Sequence, residues 1–307
     1  MKLVHKNDYR LYKAGDARFP HETYILCCDA ASDILYNPQM AGKRLQDRME
    51  KVAEAFVDAA GDLALDGKTL SQITEVVFLS GGLFYQLNHG FKKRYGQALP
   101  QCFLGIKRQR VEGSEGGFTA VSTYENFESL PDKATVIIGD TIATGATLQK
   151  GIQYVLDGFA ERGYSIENLV VCSLACSTDG AMILKGIESR MQRDFPGAKA
   201  ILIVAEEFFH LMPDGTDLRF LYPDAVMPDE TRKRIADRYG EYLGKEMKCA
   251  VFDWGTRCKN PIAHYREFLS FAKDMKGRKL DAKSRGIIDR MEKEAERTLA
   301  ELKRPLR

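Results

Sequence analysis

The stretch Val136-Ile137-Ile138-Gly139-Asp140-Thr141-Ile142-Ala143-Thr144-Gly145-Ala146-Thr147-Leu148 gathers residue types that could do chemistry together. An apolar run leads straight into a carboxylate. A small, hydroxyl-bearing loop follows, and then a helical pattern. The order predicts a buried parallel strand that delivers Asp140 to the sheet edge, and a turn that opens a helix. The first N–H groups of a helix lack partners, and its dipole favours an anion. A phosphate at that loop with a carboxylate beside it suits a sugar phosphate, with Asp140 accepting from ribose hydroxyls. Burying Asp140 unpaired after apolar strand residues would be costly. It is therefore expected at the sheet edge with a partner. The plainer alternative is a helix cap or a salt-bridged structural Asp.

Elements that would position these residues are legible from Ile73 onward. Val76–Leu79, Cys102–Ile106, Leu169–Leu174 and Ala200–Val204 read as further buried strands. Apolar residues at helical spacing lie between them: Leu83, Leu87 and Phe91; Leu148, Ile152, Val155 and Phe159; Met182, Ile183, Ile187 and Met191. Strands alternating with helices imply a parallel sheet with right-handed crossovers. Ligands of such sheets sit at the carboxyl ends of the strands, where Ser80, Lys107, Asp140 and Glu206 would emerge. Ser80-Gly81-Gly82 offers close main-chain approach to an anion, or else is a tight strand-to-helix turn. Lys107-Arg108-Gln109-Arg110 is either a source of cations for the site or a solvated face. Residues 109–132 read as an exposed flap, with Phe118–Val121 in a hairpin.

Upstream, Asn37-Pro38 predicts a helix start, followed by Leu45, Met49, Val52, Phe56 and Leu63 at helical spacing and Gly67 as its end. Downstream of Pro228 the composition turns charged and helical. Tyr265, Phe268, Leu269 and Ala272 form one amphipathic stripe, and Ile288, Met291, Ala295, Leu299 and Leu302 another. The expected division is 1–72, an N-terminal helical or hood segment; 73–228, an α/β core; and 229–307, a C-terminal helical extension that caps the core or mediates a homodimer. The fold class is α/β: a parallel twisted sheet flanked by helices, with a flap or hood and extra terminal helices.

Residues 136–148 resemble the phosphoribosyl-pyrophosphate (PRPP) signature of the type I phosphoribosyltransferases. That signature is an apolar strand, one or two acidic residues, two further residues, and a Thr-Gly loop ending in Thr or Ser. Ile142-Ala143-Thr144-Gly145 is most similar to the uracil phosphoribosyltransferases. The match is tight over about a dozen residues and extends loosely, in order and spacing, over roughly 73–225. The resemblance implies the family's α/β fold and a transfer of phosphoribosyl from PRPP to a nitrogenous heterocycle, with release of pyrophosphate. It implies that Ala143, Thr144, Gly145, Ala146 and Thr147 grip the 5′-phosphate and that Asp140 holds the ribose. Ser80, Gly81 and Gly82 would form the pyrophosphate loop, with Lys107 and Arg108 supplying charge. Residues 109–132 would be the lid. Mg²⁺ would accompany PRPP, held mainly by substrate oxygens and water, with no protein ligand assigned.

Three departures qualify the resemblance. Gly139 replaces the first of the acidic pair, whereas uracil enzymes keep the first and place Pro second. Ser80 stands where uracil enzymes have Arg. Ala143 stands where purine-using relatives carry an Asp aimed at the base, which disfavours hypoxanthine or guanine. For the base, Tyr222 and Asp224 lie in the matching region without its Gly-rich run. Asp253-Trp254-Gly255-Thr256-Arg257 is a second candidate: Trp254 could stack on a planar base and Arg257 could hold an acidic group, or Trp254 packs a domain. The departures also admit a non-catalytic PRPP- or nucleotide-binding regulator of the same fold, or reverse or hydrolytic use of the same pocket.

Composition narrows the classes further. The chain has 307 residues, 44% hydrophobic, enough for an ordinary core. A formal net charge of +2, with no basic stripe interleaved with aromatics, points away from nucleic acid. No apolar run reaches the roughly 18–20 residues of a membrane span, and the N-terminus lacks a signal-peptide core. Seven cysteines without metal-finger spacing suggest thiols in a reducing cytoplasm.

Overall fold

Uninterrupted aliphatic runs need cover on both faces, and in this protein they form the centre of one large sheet. The structure, a computed structural model, describes residues 1–110, 118–248 and 254–305, without the side chains of 108–110 and 118–119. The strands are β1 (Lys2–Lys6), β2 (Arg10–Lys13), β3 (Glu22–Cys27), β4 (Ile73–Leu79), β5 (Gln101–Arg110), β6 (Phe118–Asn126), β7 (Ala134–Gly139), β8 (Ile166–Ser173), β9 (Cys176–Ser177), β10 (Lys199–Ala205), β11 (Phe208–Leu211) and β12 (Leu218–Arg219). Nine of them form the main sheet in the order β1-β2-β3-β10-β8-β7-β4-β5-β6. From β3 to β5 every neighbour is parallel, while β1, β2 and β6 pair antiparallel at the two edges. The protein is thus mixed α/β, a large sheet flanked by helices. The sheet is parallel in its centre only.

The helices are α1 (Asp29–Leu35), α2 (Lys43–Ala60), α3 (Leu87–Tyr95), α4 (Ala146–Arg162), α5 (Thr178–Asp194), α6 (Asp229–Glu246), α7 (Trp254–Lys259), α8 (Pro261–Lys276) and α9 (Ala282–Leu302). Side chains alternate across the sheet, so neighbours in one strand feed two cores. Ile137, Val170 and Ile203 pack with α1–α3 and α6–α9. Val136, Ile138, Val171 and Leu202 pack with α4 and α5 on the other face. The crossover β4–α3–β5 runs toward one edge on the first face, and β7–α4–β8 runs toward the other edge on the second. Right-handed crossovers in opposite directions put their helices on opposite faces. The loops after β4 and β7 therefore part company between adjacent strands, leaving a crevice at the carboxyl edge.

Two sequence expectations change. Residues 1–72 were expected as a helical or hood segment, yet β1–β3 extend the main sheet and only α1, α2 and short turns are helical. Tyr24, Ile25 and Leu26 are buried: β3 pairs with β10, Tyr24 and Leu26 enter the core on the α1 face and Ile25 the core on the α4–α5 face. Nor does Pro38 start a helix: α2 begins at Lys43, after Gly42 at φ 66°. The carbonyls of Asn37, Pro38 and Met40 are instead taken by Arg257 and His264 at 3.0, 2.8 and 2.7 Å. The Asn37 carbonyl also accepts the Met40 N–H at 2.9 Å, a single turn that does not continue as a helix.

Candidate functional site

Strand β7 carries Ile137 and Ile138 fully buried to the sheet edge, and the chain turns there. A Cβ at Gly139 would lie 2.6 Å from the Tyr85 side chain. Tyr85, at the end of a short 3₁₀ turn (Gly81–Tyr85), is fully buried, and its hydroxyl sits 2.9 Å from Thr141 Oγ1 and accepts the Leu174 N–H at 3.1 Å. Gly139 is therefore a packing requirement. The Asp140 N–H still donates to the Cys172 carbonyl at 3.1 Å, and its carboxylate accepts the Thr141 N–H at 2.9 Å. Burial, then the Asp140 charge, pushes the Tyr85 hydroxyl far above its ordinary pKa, so it stays protonated.

The loop after Asp140 is pinned from beneath. Ile142 donates to the Ala175 carbonyl at 2.8 Å and accepts the Ser177 N–H at 2.9 Å. Ser177 Oγ donates to the Ala143 carbonyl at 2.5 Å and accepts the Gly180 N–H at 2.8 Å, coupling the loop to the first turn of α5. Gly145 adopts φ 75° and has no side chain to cap α4, whose first amide, Ala146 N–H, donates to Thr144 Oγ1 at 3.4 Å. The amide donors of this first turn, at the positive end of a 17-residue helix, suit an anion.

These parts face a cleft of about 630 Å³, within the range of small-molecule sites. Ser80, Gly81, Ile106, Asp140, Thr141 and Ala143 form its sheet-edge wall. Thr216 and Asp217, from the turn before β12, form a second wall. The Asp217 charge is compensated by Arg219 at 2.6 Å. Lys248, Trp254, Gly255, Lys259 and Glu267 close it from the C-terminal extension. Trp254 is 5% exposed, and its ring stands edge-on to Tyr85 at 6.0 Å between centroids. Its Cδ1 lies 3.9 Å from where a Gly81 Cβ would be, so α7 is seated on the 80–82 turn.

The structure brings together Ser80, Gly81, Asp140, Ala143 and Trp254 on the cleft wall. Thr144, Gly145, Ala146 and Thr147 continue from that wall into α4, and Gly82 is buried behind it against the Gly139 carbonyl. Lys107 is exposed on β5 and is not among the residues lining the cleft. Arg108 lies in β5, but its side chain falls outside the described residues, as do residues 111–117 of the expected flap. The flap's remainder is the antiparallel β5–β6 hairpin. Tyr222 and Asp224 gather elsewhere, around His210: its ring stacks on Tyr222 at 4.2 Å, and its Nδ1 is 2.8 Å from Asp224. Arg257 is fully buried and donates to the carbonyls of Met40, Ile34 and Asn37. Glu206 and Glu207 are also fully buried, paired with Arg234 and Tyr36. Tyr85, Asp217, Lys248, Lys259 and Glu267 were not among the sequence candidates. Only Lys259 carried a signal, as a cation within two helical turns of Trp254.

No protein-family model matches this chain, and no curated protein does. Solved structures with partial similarity include a hypoxanthine phosphoribosyltransferase from Staphylococcus aureus, at 19% identity over 42% of this chain and 64% of that one, with TM-score 0.29. The aligned part is less than two thirds of that protein's length. An asparagine mutant from a study of an invariant aspartic acid in such enzymes aligns at 16% identity, over 62% of this chain and 92% of that one, with TM-score 0.29. A Trypanosoma cruzi hypoxanthine phosphoribosyltransferase in complex with its product IMP aligns at 15% identity, over 63% and 92%, with TM-score 0.28.

Proposed function

We propose that this protein is a type I phosphoribosyltransferase that joins PRPP to a small nitrogenous heterocycle and releases pyrophosphate. One observation carries the reading: Asp140, Thr141 and Ala143 line one cleft at the point where the crossovers of the sheet diverge, and the chain runs from them through Thr144 and Gly145 into the N-terminus of α4. The amide groups at 144–147 take the 5′-phosphate. Asp140 accepts from the ribose hydroxyls and faces the positive charge that develops on the ring. The C1′–O bond to pyrophosphate breaks as the acceptor nitrogen bonds to C1′. The 80–82 turn and the cations of the C-terminal wall receive the departing pyrophosphate. Catalysis here is chiefly positioning and charge stabilisation. Trp254 and Ile106 give the cleft an apolar surface for a planar acceptor.

The oxygen-lined cleft with Asp140 suits a hard cation such as Mg²⁺, which when bound would neutralise pyrophosphate charge. Among the described residues no group of three or more His, Cys, Asp or Glu side chains is placed to hold a metal. In this reading the ion is held mainly through substrate oxygens and water. Ala143 offers no side-chain proton donor or acceptor, so an acceptor smaller than a purine remains the favoured substrate. Among the described residues no helix is long and apolar enough to cross a membrane.

Calorimetric titration of PRPP with Mg²⁺ tests the site. Binding that weakens in Asp140→Asn supports it, and unchanged binding removes Asp140 from the site. The second reading, a regulator that binds PRPP without turning it over, is favoured by Ser80, an uncharged residue on the pyrophosphate side of the wall. Gly139 no longer argues for it, because Tyr85 accounts for that residue. Pyrophosphate release with any acceptor of a heterocycle panel excludes the regulator.

A further inference from the structure

A second cavity, of about 370 Å³, lies between the 37–39 segment, α6 and α9, and shares no lining residue with the cleft. Its floor is Ile287 and Met291, 5% and 4% exposed on successive turns of α9. Its rim carries the guanidinium groups of Arg238 and Arg290. Arg238 donates to the neutral Asn37 Oδ1 at 2.6 Å. Among the described residues no carboxylate lies within ion-pair distance of either arginine. The one carboxylate on the wall, Glu294, is already paired with Arg44 at 2.5 Å and accepts from Gln39 Nε2 at 3.0 Å. The cavity rim therefore presents two exposed guanidinium groups with no carboxylate partner among the described residues, Arg238 lying over the Tyr239 ring at 5.1 Å. Its far wall presents Gln39, 3% exposed, whose Oε1 has no hydrogen-bond partner. A buried acceptor left unmatched is costly and is a place for a donor to bind.

We infer that this cavity is a ligand site for a small organic anion, a phosphate monoester or carboxylate, whose other end carries an N–H donor. The anion sits on the Arg238–Arg290 pair, where guanidinium forks suit phosphate or carboxylate oxygens. The apolar body lies over Ile287 and Met291. The N–H group reaches Gln39 Oε1. A nucleoside monophosphate has all three parts, and the cavity volume falls in the small-molecule range. The segment that carries Asn37 and Gln39 is the one whose carbonyls Arg257 and His264 hold, so the site is built on a fixed backbone.

Calorimetry with uridine 5′-monophosphate, adenosine 5′-monophosphate and inorganic phosphate tests the inference on the full chain. At least one nucleotide should bind more tightly than about 1 mM and lose about tenfold or more in Arg238→Gln/Arg290→Gln. Arg290→Gln alone, which breaks no hydrogen bond or ion pair among the described residues, should show the same direction, with thermal melts confirming that both variants fold. Gln39→Leu should weaken the nucleotide and leave inorganic phosphate unchanged. The arginine-dependent part of this binding should persist in Asp140→Asn, which alters only the cleft. Nucleotide binding lost in Asp140→Asn and kept in the arginine variants would place the ligand in the cleft and overturn the site. Failure of both nucleotides to bind, or equal affinity for inorganic phosphate, would also overturn it.

Discussion

The ring of Tyr85 occupies the volume that any side chain at position 139 would need. Its Cβ and Cγ both lie 2.6 Å from an ideal Cβ built on Gly139. The same tyrosine holds Thr141 and Leu174 through its hydroxyl and packs edge-on against Trp254. One aromatic side chain thus joins the end of β7, the start of the loop at 140–145 and the C-terminal extension. Gly139→Ala should lower thermal stability, by about 1–3 kcal/mol as overpacked core sites do. Gly139→Asp, which creates an acidic pair with Asp140, should cost more because its carboxylate is forced against buried tyrosine. A melting temperature unchanged in Gly139→Ala would show that Tyr85 moves aside freely.

The loop at 140–145 has its own steric anchor in Gly180, the third residue of α5. A Cβ there would sit 2.3 Å from Ile142 Cγ2 and 2.9 Å from the Ala143 carbonyl oxygen. Gly180→Ala should therefore shift the 142–144 backbone and weaken PRPP binding by about tenfold, or 1.4 kcal/mol. Gly186 lies in the same helix with nothing within 4 Å of its Cβ position. Gly186→Ala should leave binding alone and stabilise the helix by up to about 1 kcal/mol. Equal binding by the two variants would mean that the α5 contact does not set the loop.

What was legible in the sequence follows from local physics. The strands at 76–79, 102–106, 136–138, 169–174 and 200–204 announced themselves as aliphatic runs, and the loop at 143–147 by its small residues before a helix. Partners distant in the chain were not legible. Arg257 read as a ligand-binding cation, but its guanidinium bonds a carbonyl 217 residues upstream. Nothing in the local pattern of either segment reveals that contact. Strand β1 escaped notice because Leu3, Val4 and their neighbours are exposed at a sheet edge and show little alternation, whereas Tyr24–Cys27 of β3 is a buried apolar run that went unread. Lys107 followed an apolar run as Asp140 does. The pleat and a bulge between Gly105 and Ile106 decide which side chains face the cleft, and it is Ile106 that lines it.

That exchange of roles can be measured. Lys259 is an exposed cation on the cleft wall, contributed by α7. Lys259→Gln should weaken PRPP binding by about tenfold, with a shallower salt dependence, since exposed charge attraction is screened. Lys107→Gln should lose less. A larger loss from Lys107→Gln would return the pyrophosphate contact to β5.

Stability should respond to pH on both sides of neutrality, through two buried groups remote from the cleft. Burial chiefly, with the neighbouring Glu206 charge, raises Glu207 from 4.5 to about 8, against the Tyr36 hydroxyl bond that lowers it. The folded state then keeps a proton that the unfolded chain releases. Stability should fall as pH rises from 4.5 through about 8, and level off above that. His264 works in the opposite direction. Burial, then the Arg257 charge, lowers it from 6.5 to about 3, so the unfolded chain gains a proton that the folded state refuses. Stability should therefore be lost as pH falls from 6.5 toward 3. Glu207→Gln keeps an oxygen for the Tyr36 hydroxyl, which donates to Oε1 at 2.9 Å. Melting temperatures measured from about pH 6.5 to 9 should fall with pH in the wild type and stay flatter in Glu207→Gln, with a single proton accounting for at most about 1.4 kcal/mol per pH unit. An alkaline slope of the same size in Glu207→Gln would show that Glu207 is ionised in the folded protein.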